Sequence, residues 1–264
     1  MTRVLSAFAL IAVVCGSILF LPVFVTFLLA EVAAAVALVE YVGLARASGV
    51  EIPRIPAVVA TLATLAVVSW APGALLVVLM AIGLALSVTS LAEGLNDRAL
   101  SRLGIATFGV VYIGLPLGSL VAVQLQVGRE ALLLLLTTVM VSDTAQYYGG
   151  RFFGRHKLAP TVSPKKTVEG AVCGIVAASV VFFWWGQLVF PQMGVVGNIF
   201  LGVTLASLGI GGDLFESCIK RSAGAKDSSQ LIPGHGGVLD RIDALLFAGP
   251  VYYTVVVYLA GVLP

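Results

Sequence analysis

Residues 217–243 read SCIKRSAGAKDSSQLIPGHGGVLDRID, and they combine cations, carboxylates and glycines in an otherwise apolar chain. Three glycines within residues 233–237 allow the backbone to bend sharply in the middle of this stretch. Cationic side chains, carboxylate oxygens and backbone N–H groups are what bind phosphates and the metal ions that accompany them. The stretch is therefore typical of an active site for a phosphate-bearing substrate such as a nucleotide.

The composition excludes a water-soluble globular protein. Of the 264 residues, 59% are hydrophobic and only 11% are charged, with a mean hydropathy of +1.08. Soluble domains carry about 25% charged residues. A formal net charge of +2 is too small to indicate nucleic-acid binding, and none is expected. The three cysteines, Cys15, Cys173 and Cys218, are widely spaced, which favours apolar packing over a zinc site or a disulfide framework.

The apolar stretches predict an all-α polytopic integral membrane protein with about nine transmembrane helices. A spanning helix needs about 20 apolar residues, and proline ends such a helix readily. Pro22, Pro72 and Pro191 stand at three of the predicted turns. The first stretch is interpreted as a retained span, because no small-residue cleavage site closes it. The predicted spans are residues 4–21, 23–45, 55–71, 73–90, 104–124, 130–149, 168–190, 195–217 and 244–263.

The basic residues predict how these spans are oriented. With nine spans, all but one of the 15 Lys and Arg residues fall on the same face, the exception being Arg129. By the positive-inside rule that face is cytoplasmic. The sequence thus predicts a multi-pass protein of the inner cell membrane with a cytoplasmic N-terminus, an external C-terminus and an active site that faces the cytoplasm. The predicted domains are N-terminal helices (1–103) and a catalytic region (104–264) with cytoplasmic loops 150–168 and 218–243.

Glu31, Glu40 and Asp143 lie inside predicted spans, where an ionisable group is costly and is a functional candidate by default. Glu40 stands close to the inner surface, so we expect a structural residue that reaches the lipid headgroups. Glu31 stands near mid-span, where function and hydrogen-bonded packing are equally favoured. Asp143 leads directly into a basic loop, and a functional role is favoured for it.

The loop after Asp143 reads GGRFFGRHKLAPTVSPKKTVE over residues 149–169. Gly149 and Gly154 have the spacing of a phosphate-binding loop, but Arg155 replaces the lysine and a membrane helix precedes, so that motif is rejected. Lys165 and Lys166, flanked by hydroxyl groups, could hold a triphosphate at the start of the next helix. Taken alone, the cluster is better explained as a basic segment that meets anionic lipid headgroups.

Carboxylates flank the opening stretch on both sides. Asp213 and Glu216 share one helical face with Lys220, and Asp240 and Asp243 repeat the i, i+3 spacing beyond the glycines. Such oxygen ligands suit magnesium, which keeps waters and substrate phosphates in its shell. An ion-paired interfacial loop would explain these charges, but not the glycines set among them. His235 could serve as a general acid, a phosphate donor or a turn residue, and the sequence does not choose.

The complete spaced pattern is Ser217-x2-Lys220-Arg221-x4-Lys226-Asp227-x-Ser229-x2-Ile232-Pro233-x-His235-Gly236-Gly237-x2-Asp240-Arg241-x-Asp243. It resembles the signature of the phosphatidate cytidylyltransferases, also called CDP-diacylglycerol synthases. Gly212-Asp213-Leu214-x-Glu216 and the loop Leu158-Ala159-Pro160-x2-Ser163-Pro164-Lys165-Lys166-Thr167-x-Glu169-Gly170 resemble the same family. The likeness covers about the last half of the chain, whereas the first half is similar only in its apolar helices. Ser229 and Gln146 are two small departures from the family pattern.

The resemblance implies a magnesium-dependent reaction in which phosphatidic acid and CTP give CDP-diacylglycerol and pyrophosphate. It also implies a homodimer in contact with membrane lipid, and it leaves open whether a second cation shares the site. The implied metal ligands are Asp213 and Asp240. The candidate catalytic residues are Lys220, Arg221, Lys226, Asp227, His235, Arg241 and Asp243. The candidate substrate-binding residues are Asp143, Ser163, Lys165, Lys166, Thr167, Glu169, Ser217, Gly236 and Gly237.

Three other functions share some of these sequence features. A CTP-dependent polyprenol or phytol kinase would need similar phosphate-binding loops, and only the detailed motif separates it. A CDP-alcohol phosphotransferase should contain an Asp-Gly-x2-Ala-Arg run, and this chain has no Asp-Gly pair. An ion-coupled transporter would place its polar residues near mid-membrane in paired broken helices. The charges here gather instead at the predicted cytoplasmic face.

Overall fold

The structure is a computed structural model, and it describes residues 2–92, 98–231 and 236–259. Over these residues the protein is mostly helical, as the apolar stretches predict. Five helical segments are long and apolar enough to cross a membrane: Val23–Ala47, Pro72–Thr89, Ala99–Gln126, Val168–Val189 and Pro191–Ser222. An all-α membrane protein therefore fits the structure.

Every predicted span overlaps a helical segment over the part of the chain that the structure describes, and the count of nine membrane spans stays a prediction. The helices are α1 (Thr2–Phe20), α2 (Val23–Ala47), α3 (Arg54–Trp70), α4 (Leu75–Ala92), α5 (Ala99–Gln126), α6 (Arg129–Phe153), α7 (Val168–Val181), α8 (Gln187–Val189), α9 (Gly194–Ser222) and α10 (Leu239–Thr254). Short 3₁₀ turns at Pro72–Ala74 and Pro191–Met193 begin with prolines that the sequence places at turns. A π-helical turn, Phe182–Gly186, joins α7 to α8, and another, Val255–Leu259, follows α10.

The basic loop between α6 and α7 forms a β-hairpin, which the all-α prediction did not include. Its two strands are the ones found among the described residues. Strand β1 (Lys157–Ala159) pairs antiparallel with β2 (Ser163–Thr167), with Lys157 opposite Thr167 and Ala159 opposite Ser163. The hairpin begins four residues after α6 ends and runs directly into α7. It therefore fixes the position of Lys165 and Lys166 on a strand instead of a flexible loop.

Helix α9 extends five residues past the predicted end of the eighth span. It carries Lys220 and Arg221 in its last turn, where cations complement the negative end of the helix dipole. Gly224, at a φ of 66°, then takes the left-handed conformation that ends a helix. The N–H groups of Ala225 and Gly224 donate to the carbonyls of Lys220 and Arg221, which is the Schellman pattern.

The chain divides into two compact units that alternate along the sequence. The first comprises Met1–Ala122 and Ile219–Ile242, and the second comprises Val123–Cys218 and Asp243–Pro264. The predicted boundary between residues 103 and 104 separates N-terminal helices from a catalytic region by function, not by compactness, and it stays a prediction. The charged stretch at residues 217–243 belongs mainly to the first unit.

In the first unit, glycines on α5 allow close helix packing. A Cβ at Gly114 would lie 2.9 Å from the carbonyl oxygen of Thr61, and one at Gly118 would lie 2.8 Å from that of Leu65. Small residues at such crossings let helix backbones approach, which is how helices associate in a membrane. The hydroxyl of Tyr41 donates to the carbonyl of Ile105 at 3.1 Å and ties α2 to α5.

In the second unit, α6 and α7 pack closely through glycines. A Cβ at Gly170 would lie 2.7 Å from the carbonyl oxygen of Gln146, and one at Gly174 would lie 3.0 Å from that of Ser142. The buried Tyr252 of α10 packs edge-on against Phe182 and donates its hydroxyl to the carbonyl of Ala131 at 2.8 Å. The contacts of Gly170 and Gly174 hold the first turns of α7, which the hairpin directly precedes, against α6.

Candidate active site

A buried ion pair organises the charged segment of the first unit. Nζ of Lys220, in the last turn of α9, lies 2.5 Å from Oδ1 of Asp240, in the first turn of α10. The side chains are only 11% and 5% exposed. Two buried charges need each other's compensation, because removing one leaves the other without a countercharge. The pair therefore joins the two helices at the ends of the glycine-containing segment.

The second carboxylate oxygen of Asp240 accepts hydrogen bonds from both sides of the loop. Oδ2 accepts hydrogen bonds from the N–H and hydroxyl of Ser228, at 2.9 and 2.8 Å, and from the N–H of Gly237 at 2.8 Å. Burial alone would raise the pKa of this carboxyl. The Lys220 ammonium and the donors of Gly237 and Ser228 outweigh it and lower the pKa to about 2. Asp240 is therefore ionised at neutral pH and holds both sides of the loop.

The two described glycines of the loop are required by its geometry. Gly236 has a φ of 82°, a left-handed conformation that residues with a Cβ rarely adopt, and a Cβ there would lie 2.6 Å from Oδ2 of Asp240. A Cβ at Gly237 would collide with the hydroxyl of Ser228 and both carboxylate oxygens of Glu40. The glycines predicted to bind substrate thus have a conformational role, and substrate contact by them stays a prediction.

Glu40 belongs to this cluster, although the sequence analysis placed it among the lipid headgroups. Its residue is only 6% exposed, and its carboxylate accepts hydrogen bonds from the hydroxyls of Ser228 and Ser229 and from the N–H groups of Val238 and Leu239. The expectation of a headgroup contact is therefore wrong. The cost of a carboxylate inside a predicted span was the one signal that could have found it.

Several charged residues that were predicted to be catalytic are exposed in this segment. The guanidinium of Arg221 donates to the carbonyl of Ala225 at 2.9 Å, while Lys226, Asp227 and Arg241 are exposed on the segment held by Asp240. Exposed cations on a backbone held by hydrogen bonds are suited to binding a polyphosphate. His235, the remaining candidate of the segment, lies outside the described residues.

A second cluster lies in the other compact unit, around the hairpin. Nζ of Lys166 on β2 lies 2.5 Å from Oδ2 of Asp213 on α9, with side chains 19% and 34% exposed. The Ser217 hydroxyl lies 3.5 Å from Oδ1 of the same carboxylate. Lys165, the next residue on the strand, is exposed. The structure thus brings three predicted site residues together and gives the neighbouring lysines different surroundings.

The hairpin is attached to α7 by residues that were predicted to bind substrate. The Thr167 hydroxyl caps α7 by accepting the N–H of Gly170 at 3.2 Å. Glu169 accepts the N–H groups of Arg155 and His156 at 3.0 and 3.2 Å, and one of its oxygens lies 2.6 Å from Nδ1 of His156. Thr167 and Glu169 therefore fix the local backbone, and a direct substrate contact by either stays a prediction.

The remaining candidates lie on helices and on β2. Asp143 is exposed on α6 and accepts a hydrogen bond from Nε2 of Gln146 at 3.0 Å. Asp243 accepts the N–H of Ala244 at 2.8 Å, and its backbone carbonyl lies against Gly212, where a Cβ would leave too little room. Ser163 begins β2. The predicted roles of these residues stay predictions.

The two predicted metal ligands differ in how well they fit magnesium. Among the described residues, no group of three or more His, Cys, Asp or Glu side chains could hold a metal ion. Asp240 does not fit, because an ammonium and three further donors occupy its oxygens. Asp213 is a third exposed and fits better, since magnesium commonly uses one or two protein carboxylates together with waters and substrate phosphates.

The fold and the site together define a helical membrane protein that carries exposed cations on a segment held by buried carboxylates, a combination suited to phosphate groups. Comparison with known families makes the assignment specific. Residues 1–259 match the sequence model of the Cytidylyltransferase family, and the chain belongs to that family. The resemblance drawn from the motifs is confirmed.

Curated relatives support the same assignment over part of their lengths. The chain is 44% identical over 129 residues to the phosphatidate cytidylyltransferase of Haemophilus influenzae, covering 47% of this chain and 45% of that protein. It is 41% identical over 139 residues to that of Helicobacter pylori, covering 52% and 51%. It is 36% identical over 165 residues to that of Thermotoga maritima, covering 60% and 61%. The matches thus span about half the length of these relatives.

Proposed function

We propose that this protein is a CTP:phosphatidate cytidylyltransferase that makes CDP-diacylglycerol for phospholipid synthesis. The observation that carries the proposal is the identity of 36–44% to relatives bearing that name. The site chemistry supports it, since both clusters pair carboxylates with lysines and carry exposed cations nearby. Phosphatidic acid in the membrane and CTP are the proposed substrates.

In the proposed reaction, a phosphate oxygen of phosphatidic acid attacks the α-phosphorus of CTP. A new P–O bond forms, the bond from the α-phosphorus to the bridging oxygen breaks, and pyrophosphate leaves with that oxygen and its electrons. Because the lipid phosphate is itself the nucleophile, no activated Ser or Cys is needed. Catalysis then depends on alignment and on neutralising the charge that moves onto the leaving group.

The exposed cations of the charged segment are proposed to bind the phosphates of CTP. Arg221 is exposed in the last turn of α9, and Lys226 and Arg241 are exposed close to Ser228 and Gly237, whose N–H groups bind Asp240. Charge-assisted hydrogen bonds from such groups are about twice as strong as neutral ones. Lys165, exposed on β2, is proposed as a further anion contact. Lys220 is proposed to act mainly by fixing Asp240.

We propose magnesium as the cofactor, with Asp213 as the described carboxylate that fits it. When bound, magnesium would neutralise phosphate charge and orient the triphosphate. Ligation by Asp240 would require Lys220 to leave its oxygen, so this half of the prediction needs a rearranged site. Loss of transfer after chelation, with recovery on adding magnesium, would support the cofactor assignment.

The finer topology is proposed from the charge distribution. Nine spans, a cytoplasmic N-terminus and an external C-terminus place all but one Lys and Arg on the cytoplasmic side of the inner membrane. CTP would then reach the site from the cytoplasm. A homodimer is proposed from the family resemblance alone.

The decisive experiment uses purified protein, magnesium, phosphatidic acid and CTP labelled at the α- or the γ-phosphorus. Appearance of α label in lipid, with γ label released as pyrophosphate, is the expected result. Transfer of γ label to an added polyprenol would identify a lipid kinase instead. Absence of transfer with every lipid would rule out both enzymes and return the ion-coupled transporter to consideration.

A further inference from the structure

Glu40 joins the N-terminal part of the chain to the glycine loop. It lies on α2, within residues 1–103, which the sequence analysis separated from the catalytic region. Among the described residues, four donors reach it, and they come from residues 188 to 199 positions further along the chain. The carboxylate therefore belongs to the loop's local structure, although its helix is far from the loop in the sequence.

The donors to Glu40 come from both flanks of the glycine segment. Oε1 accepts the Ser229 hydroxyl at 2.6 Å on one flank and the N–H of Val238 at 3.0 Å on the other. Oε2 likewise accepts the Ser228 hydroxyl at 3.0 Å and the N–H of Leu239 at 2.8 Å. Each oxygen thus binds one residue on each flank, so a single side chain holds the two flanks together.

The chemistry of these contacts requires a carboxylate. Backbone N–H groups can only donate, so both oxygens facing Val238 and Leu239 must accept. The N–H groups of Val238 and Leu239 stand at the start of α10, where the helix dipole also favours a negative charge. An amide in place of Glu40 would direct an NH₂ group at one of these donors and leave a buried N–H without a partner.

We infer that Glu40 is a positioning residue for the transferase reaction, acting through the glycine loop. Its carboxylate fixes Ser228, Ser229, Val238 and Leu239, and through them the segment that carries Lys226 and Arg241. This inference rests on the proposed function for its catalytic consequence but not for its structural one. A buried carboxylate adds little to stability compared with a packed apolar residue, so its placement on the loop is better explained by the need to fix that loop.

The test compares E40Q and E40D with the wild-type protein, and uses E51Q as a matched control. Gln keeps the size of Glu but replaces one of its two acceptor oxygens with an NH₂ donor, whereas Asp keeps both acceptors and the charge on a shorter side chain. Glu51 is 73% exposed and pairs with Arg46, so its substitution should change nothing in the loop. Amide hydrogen exchange of peptides covering residues 228–239 reports the loop, and cytidylyl transfer reports its consequence.

We expect faster exchange in E40Q, confined to residues 228–239, and kcat/KM for CTP lowered on the order of tenfold or more. E40D should retain more activity than E40Q. Equal or greater activity of E40Q than E40D would show that only the size of the side chain matters and would overturn the inference. Unchanged exchange in E40Q would overturn it as well.

A milder variant covers the case in which E40Q does not fold. S229A removes one donor to Glu40 and leaves the carboxylate in place. Faster loop exchange in S229A, with a thermal midpoint within about 3 °C of wild type, would support the inference. Unchanged exchange would contradict it. Should wild-type protein transfer no cytidylyl group, the proposed function fails, while the exchange data still decide the role of Glu40.

Discussion

At the scale of single residues, Asp240 and Lys220 were predicted to take part in the reaction, but their charged groups instead stabilise the fold by pairing with each other. Asp240 uses one oxygen for the ammonium and the other for the loop. A carboxylate so occupied is a structural anchor in this state of the protein. Its effect on the reaction then comes through the position of its neighbours.

Replacing Asp240 with Asn should therefore destabilise the protein as well as abolish transfer. The substitution leaves the buried Lys220 ammonium without its countercharge, which costs roughly 3–5 kcal/mol in comparable pairs. Unfolding in detergent, followed by circular dichroism, measures the change. Asp227→Asn is the stability control, because Asp227 is exposed. An Asp240→Asn protein as stable as wild type would contradict the anchoring role.

Gly237 and Gly224 allow a second comparison between residues. Gly237→Ala should disrupt the loop, because a Cβ there collides with Ser228 and Glu40. In Gly224→Ala the new Cβ would have no atom within 4 Å. Only the left-handed conformation would then lower the free energy of unfolding, by roughly 1–2 kcal/mol. Transfer activity and thermal midpoint should both fall further for Gly237→Ala. The reverse order would mean that the loop adopts another conformation in the working enzyme.

At the scale of elements, the hairpin of β1 and β2 gives adjacent lysines different tasks. Strand geometry directs successive side chains to opposite faces. Accordingly, Lys166 pairs with Asp213 while Lys165 is exposed. The two lysines, equivalent in the sequence, are therefore not interchangeable.

Lys165→Ala should raise the KM for CTP and leave stability unchanged, because it removes an exposed cation. Lys166→Ala should lower both stability and kcat, because it leaves Asp213 without its ammonium partner. Steady-state kinetics and thermal unfolding of the two variants measure this difference. Identical effects of both substitutions would mean that the lysines form one diffuse basic patch, as expected for mere contact with lipid headgroups.

At the scale of the whole molecule, the charge distribution makes a topological prediction. Cys218 is exposed near the end of α9 and should face the cytoplasm, whereas residue 192 should lie outside. In a C15A/C173A background, a membrane-impermeant maleimide should label Cys218 in inverted vesicles but not in intact spheroplasts. Gln192→Cys, in a background that also lacks Cys218, should show the opposite pattern. Labelling of Cys218 from the outside would contradict the nine-span topology.

The sequence predicted the helices well, because length and apolar composition are local properties. It also predicted the chemical class, because the spacing from Ser217 to Asp243 resembles one family. It missed the hairpin, since five residues rich in lysine carry no strong strand signal. It placed Glu40 near the lipid headgroups, because the position of a residue along a helix indicates its depth in the membrane but not its hydrogen-bond partners.

The sequence by itself thus determined that this chain is a helical membrane protein with a phosphate-handling segment, since both properties follow from residue type and spacing. Only the tertiary structure decided which carboxylates hold the loop and which remain accessible. Glu40 meets partners 188 to 199 residues away, and Asp240 meets Lys220 across the glycine loop. Such pairings follow from helix packing, and a buried charge takes whichever donors that packing brings to it.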